Sequence, residues 1–178
     1  MTLRVPSPDP VADPSGYVRL ILGLLGEDDP AEVQARTPSE WRRLVHDAGD
    51  QVAQRPEPAE WSVLECLGHA VDAEIVSAGR YRWIIAHDEP PLIGYDQDLW
   101  VERLRHGEDG PAELLALFEA LRSANLSLWR RTTAEERARV GVHAERGRES
   151  LDLAFRLIAG HDRFHQAQAG RAVDAVRG

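Results

Sequence analysis

The 178-residue sequence has a single cysteine, no lysine and few aromatic side chains, at 6%. The lone thiol, Cys66, rules out any intramolecular disulfide. None is needed, because a chain of this length buries roughly 70% of the surface it exposes when unfolded. The longest apolar stretches, residues 20–25 and 114–117, fall far short of the roughly 20 residues that span a bilayer. No membrane-crossing segment is expected. Positive charge is also scarce: 21 basic against 30 acidic side chains leave a net charge of −9. Binding to a phosphate backbone draws its free energy from Lys and Arg, so nucleic acid is not an expected partner. The N-terminus has neither the basic start nor the apolar run of a secretory signal, and the expected location is the reducing cytoplasm.

What is present is arginine, alanine and helical periodicity. All 21 basic residues are arginine, which reads as the codon usage of a GC-rich genome and makes any one arginine less informative. Residues 1–15 carry four of the 11 prolines and little to bury, so an extended, poorly ordered lead-in is expected there. The folded domain is expected over 16–178. Residues 15–26 read as a short apolar helix closed by Gly26. Asp28-Asp-Pro opens a turn, and Thr37-Pro38-Ser39-Glu40 predicts the start of a helix running to about Gln54. Ser62 and Glu65 form a capping box for a long helix through Ala86. Pro90-Pro91 ends that run and begins a loop containing a turn or two of helix near Trp100. Pro111 starts a helix ending near Thr132, Thr133 and Glu136 cap a short turn, and residues 140–147 read as an irregular connection. Glu149 to Val176 forms the last long helix. With no period-2 run and no internal repeat, the expected architecture is an all-α, up-and-down four-helix bundle with an extra short N-terminal helix.

The apolar stripe of the last helix, Leu151, Phe155, Ile158, Ala169, Ala172 and Val176, is interrupted by His161 and His165. Residues four apart stack on one helical face, at the spacing that lets both rings bind one cation. A random pair of this kind is as readily two surface histidines. Burial beside Phe155 and Ile158 is costly unless each ring nitrogen finds a partner, and a metal supplies one. On the Ser62 helix, His69 is the natural third ligand, although it falls on the flank of that helix's apolar arc. Glu74 sits nearer the middle and reads as a ligand, an acceptor behind the ligands, or an ion-pair partner of Arg80 or Arg122; the ion pair is preferred. His46 and His106 read as solvated, and His87 as a helix end. His143, in the irregular connection, is placed within reach of a site opening. Trp100, in a loop, is the tryptophan expected to line a pocket, and Cys66 reads as an inert small hydrophobe.

Residues 60–69 (Glu60-Trp-Ser-Val-Leu-Glu-Cys-Leu-Gly-His69), with Asp72 and Glu74 following, and residues 159–168, containing His161 and His165, resemble the two signature segments of the DinB/YfiT-like metalloprotein superfamily. The runs Arg80-Tyr-Arg82, Tyr95 to Trp100, Arg122 to Asn125 and Gly141 to Gly147 resemble one branch of it. The resemblance spans roughly residues 17 to 173. It implies a four-helix bundle holding a divalent cation, commonly zinc or nickel, on three histidines that map to His69, His161 and His165. It also implies thiol-dependent S-transferases or isomerases that use bacillithiol or mycothiol, alongside members labelled hydrolases. No catalytic residue beyond the ligands carries over.

Three protein ligands leave a coordination position for a substrate, as catalytic sites do. The leading expectation is a metal-dependent S-transferase that uses a low-molecular-weight thiol, mycothiol-type given the GC-rich signature, on a small-molecule electrophile. The alternatives are a metal-dependent hydrolase and a non-enzymatic metal- or ligand-binding stress protein. Glu74, Trp100, Arg122 and His143 are candidates for the pocket wall or the shell behind the ligands, and a homodimer is the default assembly.

Overall fold

A computed structural model describes Pro8 and residues 11–177. Most of the expected lead-in lies outside the described residues. The first helix, α1 (Pro14–Leu25), begins at Pro14, because Asp13 accepts the Gly16 N–H at 2.9 Å and so supplies an N-cap. α2 (Pro30–Ala48) starts well before the expected Thr37. Asp29 caps it by accepting from Ala31 and Glu32, and Pro30 occupies the first turn, where no N–H is missed. The helix then passes through Pro38. A mid-helix proline strips the carbonyl four residues back of its partner, and here that carbonyl, Gln34 O, accepts from Arg122 Nη1 at 3.1 Å. α2 stops at Gly49 (φ 54°) rather than near Gln54, and a 3₁₀ turn follows.

α3 (Val63–Ala86) carries the expected Ser62–Glu65 capping box. α4 (Gln97–Arg103) is the short helix around Trp100, α5 (Pro111–Arg131) begins at its proline, and α6 (Ala134–Ala138) is capped by Thr133 and Glu136. α7 (Leu151–Arg177) closes the fold. The stretch read as irregular is a hairpin, β2 (Val140–His143) and β3 (Gly147–Ser150), turning at Gly147 (φ 75°). β1 (Pro91–Leu92) pairs parallel with β2, so Leu92 lies opposite His143. Four-residue strands that read Val-Gly-Val-His and Gly-Arg-Glu-Ser show no apolar alternation, which hides them from a pattern reading.

The all-α bundle holds, with this small sheet at one end. α2 and α3, consecutive long helices, each pack mainly on α5 and α7, so they sit diagonally across the bundle. Two apolar clusters fill the interior. One contains Trp41, Leu67, Phe118 and Ala169, and the other contains Tyr81, Trp129, Phe155 and Leu151. Along α3, α5 and α7 a polar level separates them: Glu74, Arg122 with Asn125, and His161 with Asp162, all buried. No helix among the described residues is long and apolar enough to cross a membrane.

α1 lies against α7 at Gly160, where an added Cβ would stand 2.1 Å from the backbone oxygen of Ile21. Backbone cannot step aside as a side-chain tip can. Gly160→Ala is expected to cost about 1–3 kcal/mol by forcing α1 off α7. Urea denaturation checks this, and a loss below 0.5 kcal/mol on the order of surface substitutions would show that α1 yields freely.

Candidate metal centre

His161 and His165 share one face of α7, and α3 presents His69 opposite them. All three are buried, and one nitrogen from each lies within 4.8 Å of the others. His69 Nε2 and His161 Nε2 are 2.9 Å apart. The His161 and His165 ring centroids are 4.3 Å apart, and that of His69 is 4.5 Å from His165. Gln168, one turn on, accepts from His165 Nδ1 at 2.9 Å, which puts the proton there and leaves the Nε2 lone pair free. Trp61 stacks on the same ring, nearly parallel at 5.9 Å.

Burial disfavours the imidazolium form of each ring. It lowers the pKa of His69 well below the ordinary value, reinforced by His165 and His161. Burial, then His161, does the same to His165. His161 falls to about 4, by burial and then the Arg122 charge. Three neutral imidazoles thus stand with lone pairs toward one point. Two facing Nε2 atoms can share at most one proton, and Nδ1 of both His69 and His161 is buried with no hydrogen-bond partner. A cation would engage the converging lone pairs. The all-nitrogen donor set suits zinc, nickel and similar borderline ions rather than calcium or magnesium, and the residues present fit such an ion.

Glu74 is not among the converging groups. Its Oε1 pairs with Arg122 Nη2 at 2.8 Å, and its Oε2 accepts from Asn125 at 2.9 Å. Of the expected roles, the ion pair is the one observed, and the partner is Arg122 rather than Arg80. Arg122 does not line the cavity. It reaches past Glu74 to Asp162, which it holds at 2.6 and 3.0 Å, and Thr37 Oγ1 lies 3.1 Å from the same carboxylate. This buried network fixes the residue next to His161, so Arg122 acts behind α7 as a structural pin. Trp100 also falls outside the cavity wall: it packs on Tyr95 with centroids 4.4 Å apart, and Tyr95 takes the lining position. The short α4 turns the tryptophan onto the tyrosine instead of inward.

His143 does reach the cavity. It is buried on β2 and lines, with His69 and His161, a pocket of about 100 Å³ walled by α3, α7 and the hairpin. His46 is exposed as expected, His87 ends α3 as expected, and Cys66 is buried, its thiol pKa pushed up by desolvation. His106 departs from expectation. It is buried, not solvated, because the 3₁₀ turn that carries it folds over α3, its ring within 2.4 Å of where a Gly68 Cβ would lie. Its Nε2 contacts Asp72 at 2.8 Å and its Nδ1 contacts Asp109 at 2.7 Å. The sequence signal was a glycine mid-helix, one residue before His69. Trp61, Asp162 and Tyr95 act through stacking and cross-helix bonds, which leave no periodic trace, whereas Gln168 lies at i+3 from His165 on the same helix and its spacing was a signal that could have found it.

The bond to Asp72, then Asp109, raises the His106 pKa above 6.5 against a smaller opposing effect of burial. Charged His106 therefore contributes stability that is complete below about pH 6.5 and fades as pH rises through the folded value. In chelator-treated protein, the stability gap between wild type and His106→Gln should narrow from pH 6 toward pH 9, on the order of one His titration. A gap that stays constant in urea titrations across that range would show an uncharged ring.

The chain matches the family model of the DinB superfamily over residues 33–169. A protein of Oceanobacillus iheyensis, provisionally named a metal-dependent hydrolase, is 28% identical over 108 residues; the match covers 60% of this chain and 62% of that protein. The chain thus spans less than two thirds of that relative. The fold is similar to that of YfiT from Bacillus subtilis, described as a probable metal-dependent hydrolase with an unusual four-helix bundle topology. That likeness has a TM-score of 0.77 at 21% identity and covers 83% of this chain and 86% of YfiT. With the family model spanning most of its length and the bundle agreeing in shape, the chain belongs to the DinB superfamily.

Proposed function

We propose that the protein is a metal-dependent enzyme that holds a divalent cation, zinc or nickel, on His69, His161 and His165 and transfers a low-molecular-weight thiol to a small electrophile. Three protein donors is the ligand count of catalytic rather than closed structural sites. A cation bound there supplies Lewis acidity, acidifying a thiol that joins it and favouring the thiolate. The chain's own residues supply neutral lone pairs, exclude water by burial and orient His165 through Gln168.

The observation that carries the thiol reading is the engagement of Glu74. Hydrolysis ordinarily wants a carboxylate base beside the nucleophile, and the buried carboxylates of α3 are all engaged: Glu74 by Arg122 and Asn125, Asp72 by His106 and Glu65 by Arg55. A thiol needs no such base once acidified. The hydrolase reading is the second. It is favoured by Glu149, which is buried and lines the same cavity, although Arg146 Nε already donates to it at 2.7 Å. The names given to the two similar proteins point the same way.

Metal analysis of protein purified without chelator or histidine tag comes first, followed by a thiol panel, mycothiol and bacillithiol included, with a haloarene electrophile. The expected result is loss of free thiol and release of halide only with metal-loaded protein. Ester or amide cleavage with no thiol present would establish the hydrolase instead. Thiol binding without turnover across the panel would leave a binding protein.

A further inference from the structure

Beyond the histidine triad, the same cavity contains an arginine, Arg80, that no carboxylate among the described residues bonds directly. Arg80 lies eleven residues after His69 on the same stripe of α3, a rise of about 16 Å along the helix. No carboxylate among the described residues comes within ion-pair distance of it; Glu74, the acid one turn and a half before it, is taken by Arg122. Its Nη2 donates to the Ile93 carbonyl at 2.6 Å, and its Nε is buried without a partner. Glu145 and Glu149 line this cavity too, and the Glu149 charge is felt at Arg80, but neither is within ion-pair distance of it. Glu149 accepts from Arg146, and Glu145 approaches only the Nδ1 edge of His143, at 3.7 Å.

His143 stands beside this arginine. Its Nδ1 faces the backbone N–H groups of Glu145 and Arg146 at 3.2 and 3.4 Å, and its Nε2 faces Arg80 Nη2 at 3.0 Å. All three neighbours are donors, and a neutral ring accepts at only one of its nitrogens. One edge of the ring therefore sets donor against donor. Burial and the Arg146 and Arg80 charges lower the His143 pKa to about 4, so the ring stays neutral beside the guanidinium. An arrangement of inward N–H groups around a guanidinium that no carboxylate contacts directly is satisfied by an oxyanion, and a planar carboxylate matches the guanidinium fork.

We infer that Arg80 and His143 form a carboxylate-binding subsite, and that the small molecule the cavity accepts bears a carboxylate at the end away from the histidine triad. The inference rests on the metal-enzyme reading only for what happens at the other end. Arg80 is here a specificity-determining residue. It selects an anionic substrate and takes no part in bond making.

The test uses chelator-treated full-length protein, so that no cation competes for the probe, with benzoate, its neutral isostere benzamide, and inorganic phosphate in calorimetric titrations. Wild type is expected to bind benzoate about tenfold or more tightly than benzamide, and Arg80→Met to abolish that preference while leaving benzamide affinity unchanged. Arg80→Gln, which keeps a polar stem, carries the same expectation should the methionine variant fail to fold. Absence of a benzoate preference in wild type, or its survival in both variants, would overturn the subsite. Tighter binding of phosphate than of benzoate would overturn the carboxylate assignment. Metal content, measured in parallel on reloaded protein, is expected to be unchanged in both variants. A wild-type protein that takes up no metal yet keeps the benzoate preference would defeat the metal reading and leave the subsite standing.

Discussion

Replacing Arg122 with methionine is expected to destabilise the protein by about 3–5 kcal/mol, because it strands two buried carboxylates at once. Arg122 is only 1% exposed and contacts Glu74, Asp162 and the Gln34 carbonyl together. The methionine keeps much of the volume and none of the charge. Glu74 is already pushed upward in pKa by burial, with Arg122 as the chief opposing influence, so its anion is the more costly to leave alone. The Gln34 carbonyl, orphaned by Pro38, would lose its donor too, and α2 would be expected to kink there. For a domain of this size the loss corresponds to a fall in melting temperature of about 6–20 °C. Urea and thermal denaturation at neutral pH provide the measurement, and a loss smaller than about 1 kcal/mol would mean the network is wetter than its burial indicates. The triple replacement with Glu74→Leu and Asp162→Leu should recover much of the stability, since apolar substitutes for whole buried ion clusters are often tolerated.

The second large effect belongs to the triad. His161→Ala or His165→Ala should weaken divalent-metal affinity by roughly 100-fold or more, beyond the 10–100-fold that loss of a supporting group alone produces. Gln168→Ala should fall within that smaller range, since it frees the His165 ring without removing a donor. His143→Ala is expected to leave metal content unchanged, because its ring nitrogens face Arg80 and the hairpin backbone. Competition against a chromophoric chelator, with elemental analysis of the purified variants, separates these outcomes. Full metal stoichiometry and affinity in both histidine variants would remove the triad from the metal site. A metal-depleted His143→Ala protein would add His143 to it.

The polar level that divides the bundle core links the two effects. Arg122 pins Asp162, and Asp162 adjoins His161 on α7, so the ion network and the imidazoles share one stretch of helix. Its constituents were visible in the sequence as breaks in apolar stripes: Glu74 on one helix, Arg122 and Asn125 on another, His161 and His165 on the last. Which break faces which was not. Glu74 had two arginines within plausible reach, and only the arrangement of α5 across from α3 selects Arg122 and leaves Arg80 without a carboxylate.

Local chemistry carried the elements whose ends are set by their own residues. Ser62 with Glu65 and Thr133 with Glu136 define helix starts through bonds spanning three residues, and Pro111 defines one through its fixed φ and missing N–H, so all three starts agree with the sequence expectation. Pro38 misled because its missing N–H is normally decisive, while here a side chain 84 residues away satisfies the carbonyl it frees. His106 misled for a similar reason. Its polar sequence neighbours suggested water, but the turn bearing it closes over Gly68 and exchanges water for Asp72.

By itself the sequence determined the helical class, most helix boundaries and the histidine pair on one face of α7, because capping, proline placement and the 3.6-residue period act over a few residues. The tertiary structure alone decided the diagonal placement of α2 and α3, the convergence of His69 on that pair, the commitment of Glu74 to Arg122 and the delivery of His143 to Arg80. These depend on groups far apart in the chain, whose meeting is set by how whole helix faces bury against one another rather than by any local preference.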